Sequence, residues 1–244
     1  MTNLSVNVNK IALIRNARGG SLPDIKEISN ICIDSGCHGI TVHPRDDMRH
    51  IIPNDIKILK ELTESRKVEF NIEGNPFSEK KGEYPGFLNL VESFKPTQCT
   101  LVPDKPTQLT SDHGWDLREH NSELIKVIQK IKSCGCRVSL FIDPDQELIS
   151  IAKDIGADRI ELYTGPYAKH IKNIELLGRY SVAEKHAHNI GLKVNAGHDL
   201  NLSNLGLFLA NCEIEEVSIG HALISDAVKC GLGKTVKKYL QICN

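Results

Sequence analysis

Five short apolar runs end in residues that can move protons or hold anions. GITV ends in His43, FNIE in Glu73, VNAG in His198 and SIG in His221, while LFI ends in Asp143. His43, Glu73 and His198 are the sharpest set. Two imidazoles and a carboxylate suit multistep proton transfer near neutral pH. Each alone reads equally well as a satisfied polar residue at a strand end. Their convergence in one pocket is what gives them a function.

Anion binding is the second chemistry in the pattern. Gly197-His198 and Gly220-His221 each follow a strand. Backbone N–H groups at such a turn bind phosphate, and glycine lets the anion approach. A tight turn without a ligand reads the same way. Arg18, Arg45, Arg49 and His50 form basic clusters at two loops. A guanidinium grips phosphate with two parallel hydrogen bonds. Arg15 and Arg49 read better as solvated surface charge. Lys193, beside Val194, is a weak candidate for a Schiff-base lysine.

These residues need a scaffold that gathers strand ends. The pattern predicts eight strands, at 4–9, 38–43, 68–73, 99–102, 137–143, 159–164, 192–197 and 216–220. Helices are expected between them, among them a run from Pro23 to about Ser35, one opening at Pro53, and others near 84–94, 117–133, 170–190 and 221–241. The segment 103–116 has two prolines, a glycine and no apolar period, so it reads as a lid loop. No glycine-rich dinucleotide fingerprint follows strand one. The alternation therefore favours a single (β/α)8 TIM barrel over residues 1–244, with extra helical segments, whose active site lies where the strands end.

Composition narrows the partners. Net charge is −1, so no global field draws nucleic acid or an anionic membrane. No apolar run approaches the roughly 20 residues of a membrane helix. The N-terminus has no basic region followed by an apolar core, so no secretory signal is expected. The eight cysteines do not fall in CxxC pairs, and reduced, mostly buried thiols of a cytoplasmic protein are expected.

At this resolution of motif the chain resembles the pyridoxine 5′-phosphate synthase family, from about residue 4 to 240. The resemblance rests on NVNKIALIRNARG, GITVHPRDDMRHI, FNIEGNP, LVPDKPTQLTSDHGWD, VSLFIDP, IELYTGPYA, LKVNAGHDL and SIGHALISDAV, in that order. It implies condensation of 1-deoxy-D-xylulose 5-phosphate with 3-amino-2-oxopropyl phosphate, closing a pyridine ring with release of phosphate and water. It implies no metal or organic cofactor, and an octamer of barrels. By motif, His43 and Glu73 resemble the family's proton acceptors and His198 its proton donor. Asn7, Arg18, Gly220 and His221 match positions around the aminoketone phosphate, and Asp199 stands among them where some members have glycine. Asn9, Lys10, Arg45, His50 and Thr110 match those around the deoxyxylulose phosphate. Many members read Asp-His after strand one, where this chain has Asn9-Lys10. Asn9 still hydrogen-bonds a hydroxyl, but Lys10 puts a fixed positive charge where a titratable ring stood.

Two other readings stay open at the level of sequence. In one, His43, Glu73, His198 and His221 ligate zinc in a barrel hydrolase, although no His-x-His marks strand one. In the other, the Asn9-Lys10 change marks a phosphosugar-binding barrel without turnover.

Overall fold

Strand alternation decides this architecture. In the computed structural model, which describes residues 1–119 and 121–244, eight parallel strands close a barrel in sequence order. They are β1 (Asn3–Asn7), β2 (Gly39–Val42), β3 (Glu69–Gly74), β4 (Gln98–Leu101), β5 (Arg137–Ile142), β6 (Arg159–Tyr163), β7 (Lys193–Gly197) and β8 (Glu216–Ile219). β1 pairs with β2 on one side and β8 on the other, which completes the ring.

One side of each strand is aliphatic: Leu4 and Val6, Ile40 and Val42, Ile160 and Leu162, Val217 and Ile219, all buried. These residues belong to one apolar cluster with helix residues such as Ile56, Leu59, Ile149 and Tyr239, so they face outward. The alternate residues point inward, and they are polar. Ser218 of β8 reaches Glu73 of β3, Thr100 of β4 reaches Glu161 of β6, and Arg137 of β5 pairs with Glu69 of β3. Only side chains inside the ring can join strands that are not neighbours. Barrels usually fill this space with branched aliphatics. Here buried hydrogen bonds fill it, and the strands are apolar on one face rather than both. The functional groups at the mouth are the top layer of that polar stack.

The helices depart from the sequence reading in five places. Strand one ends at Asn7, and the next residues form an unexpected helix, α1 (Asn9–Arg18). It is pinned by Arg15, whose guanidinium meets Asp55 at 2.5 Å with both side chains buried. Arg15 is therefore no solvated surface charge. Asp55 also accepts the Ile52 N–H at the head of the Pro-started α3 (Pro53–Arg66), after α2 (Ile25–Asp34), so one carboxylate joins two helices at the mouth. After α4 (Phe87–Phe94), α5 spans Ser122–Ser133, later than the expected start at 117; His120 lies outside the described residues.

α6 (Gln146–Asp154) is capped by Asp145 as its Pro144 context suggests. The expected helix 170–190 is α8 (Ile174–Asn189), and a short, unexpected α7 (Gly165–Lys169) precedes it. A short α9 (Leu205–Leu209) precedes β8. The final run breaks at Gly231 into α10 (His221–Cys230) and α11 (Leu232–Cys243), since Gly231 takes φ 81°. None of the described helices is long and apolar enough to cross a membrane. All eight cysteines are free, and Cys230 is the exposed one.

Candidate active site

His43 follows β2 directly, and its backbone N–H donates to Asn9 Oδ1 at 2.9 Å. α1 thus fixes the first residue of the β2 loop. Asn9 spends its side-chain oxygen on this bond, which the sequence reading had kept for substrate. The His43 ring is buried between two carboxylates. Nδ1 lies 3.9 Å from Glu73 Oε2 and Nε2 lies 3.6 Å from Asp104 Oδ2. Burial, helped by the charges of Arg45 and Arg49, pushes the imidazole down to about 3, so it is neutral at physiological pH.

Glu73 is in the opposite condition. Burial pushes its carboxyl up to about 8, against donors from Ser218, 3.4 Å away, and Asn7, 3.3 Å away. Glu161, two residues before the end of β6, is raised well above the carboxylate range by burial and by Glu73. Glu216 below them is also raised, to about 8, chiefly by burial. The mouth therefore holds a neutral imidazole beside a protonated carboxylic acid. Each can take the other's role after one proton transfer.

His50 is buried as well, and its Nδ1 accepts the Ile51 N–H at 2.9 Å, which leaves Nε2 as the protonated nitrogen. Burial and then His43, Arg45, Arg49 and Lys10 push it down to about 3. Lys10 is half-buried on α1, and its charge reaches His50. Arg49 is not a solvated charge either. It donates to the carbonyls of Pro106, Gln108 and Leu109 and pairs with Asp47 at 2.6 Å.

His198 and Asp199 leave β7 in left-handed backbone, at φ 82° and 61°. Such residues are a few per cent of non-glycine positions, with His, Asp and Asn enriched. The Thr164 hydroxyl, 2.6 Å from both the Gly197 and the His198 carbonyl oxygens, holds the turn. Asn201 and Asn204 side chains donate to the Asp199 carbonyl. The His198 ring stands edge-on to Tyr163 with centroids 5.2 Å apart, and its Nε2 is 3.0 Å from Thr110 Oγ1. Nδ1 faces Asp199 Oδ2 at 3.2 Å outside hydrogen-bond geometry, and His198 holds that carboxylate below its usual range. A Cβ at Gly197 would stand 2.2 Å from Glu161 Oε1, so any side chain there would have to displace that buried carboxyl group.

The loop 103–116 crosses this mouth. Arg45 holds its start through Asp104 at 2.5 Å and its middle through the Gln108 carbonyl. Thr110 holds it to β7 through His198. Its far end is fixed where Trp115 donates its backbone N–H to Phe141 and its indole N–H to the Leu101 carbonyl.

The sequence candidates thus fall into three groups. His43, Glu73, Asn7, Asn9, Arg45 and His50 are joined by contacts around the β1–β3 ends. His198, Asp199 and Thr110 form a second cluster at β7, linked to the first through the loop. Gly220 packs on Asn7, where a Cβ would meet Asn7 Cβ at 3.1 Å, while His221 beyond it is exposed. Arg18 is exposed at the far end of α1, and it enters no ion pair or hydrogen bond among the described residues. Lys193 is exposed at the first position of β7, the opposite end of the barrel from His198, which removes the Schiff-base reading. Among the described residues, the grouping with metal-ligand spacing is Glu184, His188 and Glu213, away from the mouth, and not the zinc set weighed above. Sequence reading missed Asp104 and Glu161. The signal for Glu161 was present in the inward parity of RIELY, but attention to strand ends passes over it.

The chain was compared with known proteins. Residues 4–244 match the family model described as pyridoxal phosphate biosynthesis protein PdxJ. A pyridoxine 5′-phosphate synthase of Xanthomonas campestris pv. campestris is 51% identical over 99% of this chain and 96% of its own length. One from Xylella fastidiosa is 52% identical over 99% and 94%. Among solved structures, a mutant tryptophan synthase alpha-subunit from Pyrococcus furiosus superposes with a TM-score of 0.64 at 13% identity, covering 98% of this chain and 97% of that one. A thiamine phosphate pyrophosphorylase from the same organism gives 0.62 at 11%, covering 99% and 95%. At such identities these two show the barrel fold alone.

Proposed function

The chain belongs to the PdxJ family of pyridoxal phosphate biosynthesis proteins, and from that premise we propose that its mouth closes the pyridine ring of pyridoxine 5′-phosphate. The substrates are 1-deoxy-D-xylulose 5-phosphate and 3-amino-2-oxopropyl phosphate. The amine attacks the ketone and water leaves as the imine forms. Inorganic phosphate then leaves, water adds, and an aldol-type closure with loss of two further waters completes the aromatic ring. Every one of these steps moves a proton.

The observation that carries the reading is the pairing of His43 with Glu73. A neutral imidazole accepts a proton at once, and a carboxylic acid with a raised pKa gives one up near neutral pH. Glu73 takes protons once ionised, His43 is the second acceptor, and His198 returns a proton from the β7 side. At 3.9 Å from Glu73 and 3.6 Å from Asp104, neither ring nitrogen of His43 is committed to a hydrogen bond with these carboxyl groups, so both are available to a substrate. Arg45, His50 and Thr110, with Asn9 and Lys10 behind them, hold the deoxyxylulose phosphate. Asn7, Arg18, Asp199 and the Gly220-His221 turn hold the aminoketone phosphate. The loop 103–116 excludes water from the intermediates. No metal or organic cofactor enters the reaction. Residues 1–244 act as one barrel domain, the reduced buried cysteines suit a cytoplasmic setting, and the assembly is a homo-octamer.

The experiment is incubation of the purified protein with both phosphates after exhaustive chelation. Pyridoxine 5′-phosphate should accumulate, followed by its absorbance, with release of inorganic phosphate. No product, with or without added metal, removes the reading. Activity that chelation abolishes and zinc restores points instead to metal chemistry at the mouth.

A further inference from the structure

Asp104 is the buried charge that these roles leave idle. It stands just past β4, at the start of the loop, and its side chain is 4% exposed. Its contacts crowd one oxygen. Oδ2 accepts from Arg45 at 2.5 Å and from the Ser111 hydroxyl at 2.9 Å, and it lies 3.6 Å from His43 Nε2. Oδ1 is equally buried and has no donor. Buried polar atoms are almost always satisfied, and an ionised carboxylate oxygen is the acceptor that most needs a donor. A cavity of about 120 Å³ adjoins it, lined among others by His43, Arg45 and Asn75.

Arg45 is the group for which this carboxylate has a rival. A phosphate carries up to two negative charges against one, and its oxygens match the guanidinium fork. We infer that Asp104 is a positioning residue that exchanges partners: it holds Arg45 and the loop in the empty site, and it turns to His43 when the deoxyxylulose phosphate takes Arg45. The inference rests on the assignment of Arg45 to that phosphate.

The exchange has a chemical purpose. Burial first, and then the charges of Arg45 and Arg49, keep His43 from accepting a proton. Around the ring also stand Glu73 from β3 and His50 from its own loop, with Lys10 of α1 beyond His50. Once phosphate neutralises Arg45, the freed Asp104 carboxylate is the nearest negative charge to Nε2. His43 then becomes a better base only when substrate is present.

Asp104→Asn keeps the shape and removes the charge. Calorimetric titration with inorganic phosphate reads the exchange without turnover. The variant should bind phosphate roughly 3–10-fold tighter, because no like charge has to be displaced from Arg45. Its kcat should fall, and the acidic limb of kcat should move to lower pH, since His43 loses the charge that favours its protonated form. Asp104→Glu should restore the limb in part. Ser111→Ala loosens the same loop without touching the charge, and its phosphate affinity should match the parent's. Where the Asn variant does not fold, Asp104→Ser carries the same test. A folded variant that binds phosphate no more tightly than the parent, or whose acidic limb stays in place, overturns the exchange. Failure of the parent to make pyridoxine 5′-phosphate would instead remove the reading of the site, and phosphate binding would still report on the Arg45–Asp104 pair.

Discussion

Glu73→Gln is expected to lower kcat by about 10²–10⁴-fold, the usual worth of a positioned general base. Binding of both phosphates should survive, because glutamine keeps the size and one acceptor oxygen, and the phosphates are held by other groups. The Ser218 hydroxyl and the Asn7 amide donate to Glu73 at 3.4 and 3.3 Å, and an amide oxygen can take one of the two. The parent's kcat/KM should rise with pH toward about 8, where burial places the Glu73 carboxyl, and this rise should vanish in the variant. Stability gives an independent check. The folded-state pKa is raised, so the neutral acid suits the fold below its ordinary value near 4.5, and stability is lost as pH climbs through about 8. Glutamine cannot ionise, so the variant's melting temperature should exceed the parent's above that pH. Turnover within a few-fold of the parent, or binding lost in step with turnover, would make Glu73 a structural or binding residue.

The barrel was legible because its strands carry two codes at once. ITV, FNI, RIEL and EVSI show aliphatics at alternate positions, and the residues between them are the polar lining. Reading these stretches simply as short apolar runs located the strands correctly and hid what the interior is made of. Helix α1 was hidden for a different reason. Its sequence NKIALIRNAR follows LSVNV without a break, and Val8 before it offers no side-chain cap, so the strand pattern runs into it. Its stability comes from tertiary contacts, chiefly Arg15 on Asp55, which no local pattern shows.

The candidate site was legible in position where a residue ends a strand, as with His43, Glu73 and His198, which the fold places at strand ends. It was illegible where function depends on what a side chain meets across the mouth. Asp104 reads as one more polar residue in a proline-bearing loop until Arg45 and His43 are seen beside it. Arg49 has the same surface signature as any basic loop residue until the loop carbonyls fold over it. Asn9 was expected to meet substrate, and its contact with the His43 backbone N–H is one that no local pattern shows.

Gly114→Ala should have the second large effect, and it acts through the loop rather than through chemistry. A Cβ at this position would lie 2.4 Å from Ile142 Cα, 2.5 Å from Asp143 N and 2.6 Å from Ile142 C. All three are backbone atoms at the end of β5, so no side chain can swing aside. The Gly114 N–H also donates to Asp143 Oδ2 at 3.2 Å, and Trp115 is bonded to Phe141 and Leu101 directly after it. A methyl group here must lift the loop from β5, and the lift carries Ser111 away from Asp104 and Thr110 away from His198. Overpacking of this kind costs about 1–3 kcal/mol, which shifts the closed fraction by roughly 5–150-fold. The barrel itself should keep its far-UV circular dichroism, because the aliphatic belt outside the strands is untouched. The loop should become a protease target, KM for the deoxyxylulose substrate should rise, and kcat should fall as water reaches the intermediates. Gly178→Ala is the matched control, with nothing within 4 Å of the added carbon on α8. It should leave kinetics unchanged and raise stability by about 0.5–1 kcal/mol, as alanine does for glycine inside a helix. If Gly114→Ala keeps the parent's resistance to cleavage at 103–116 and its kinetics, close seating of the loop on β5 is not what completes the site.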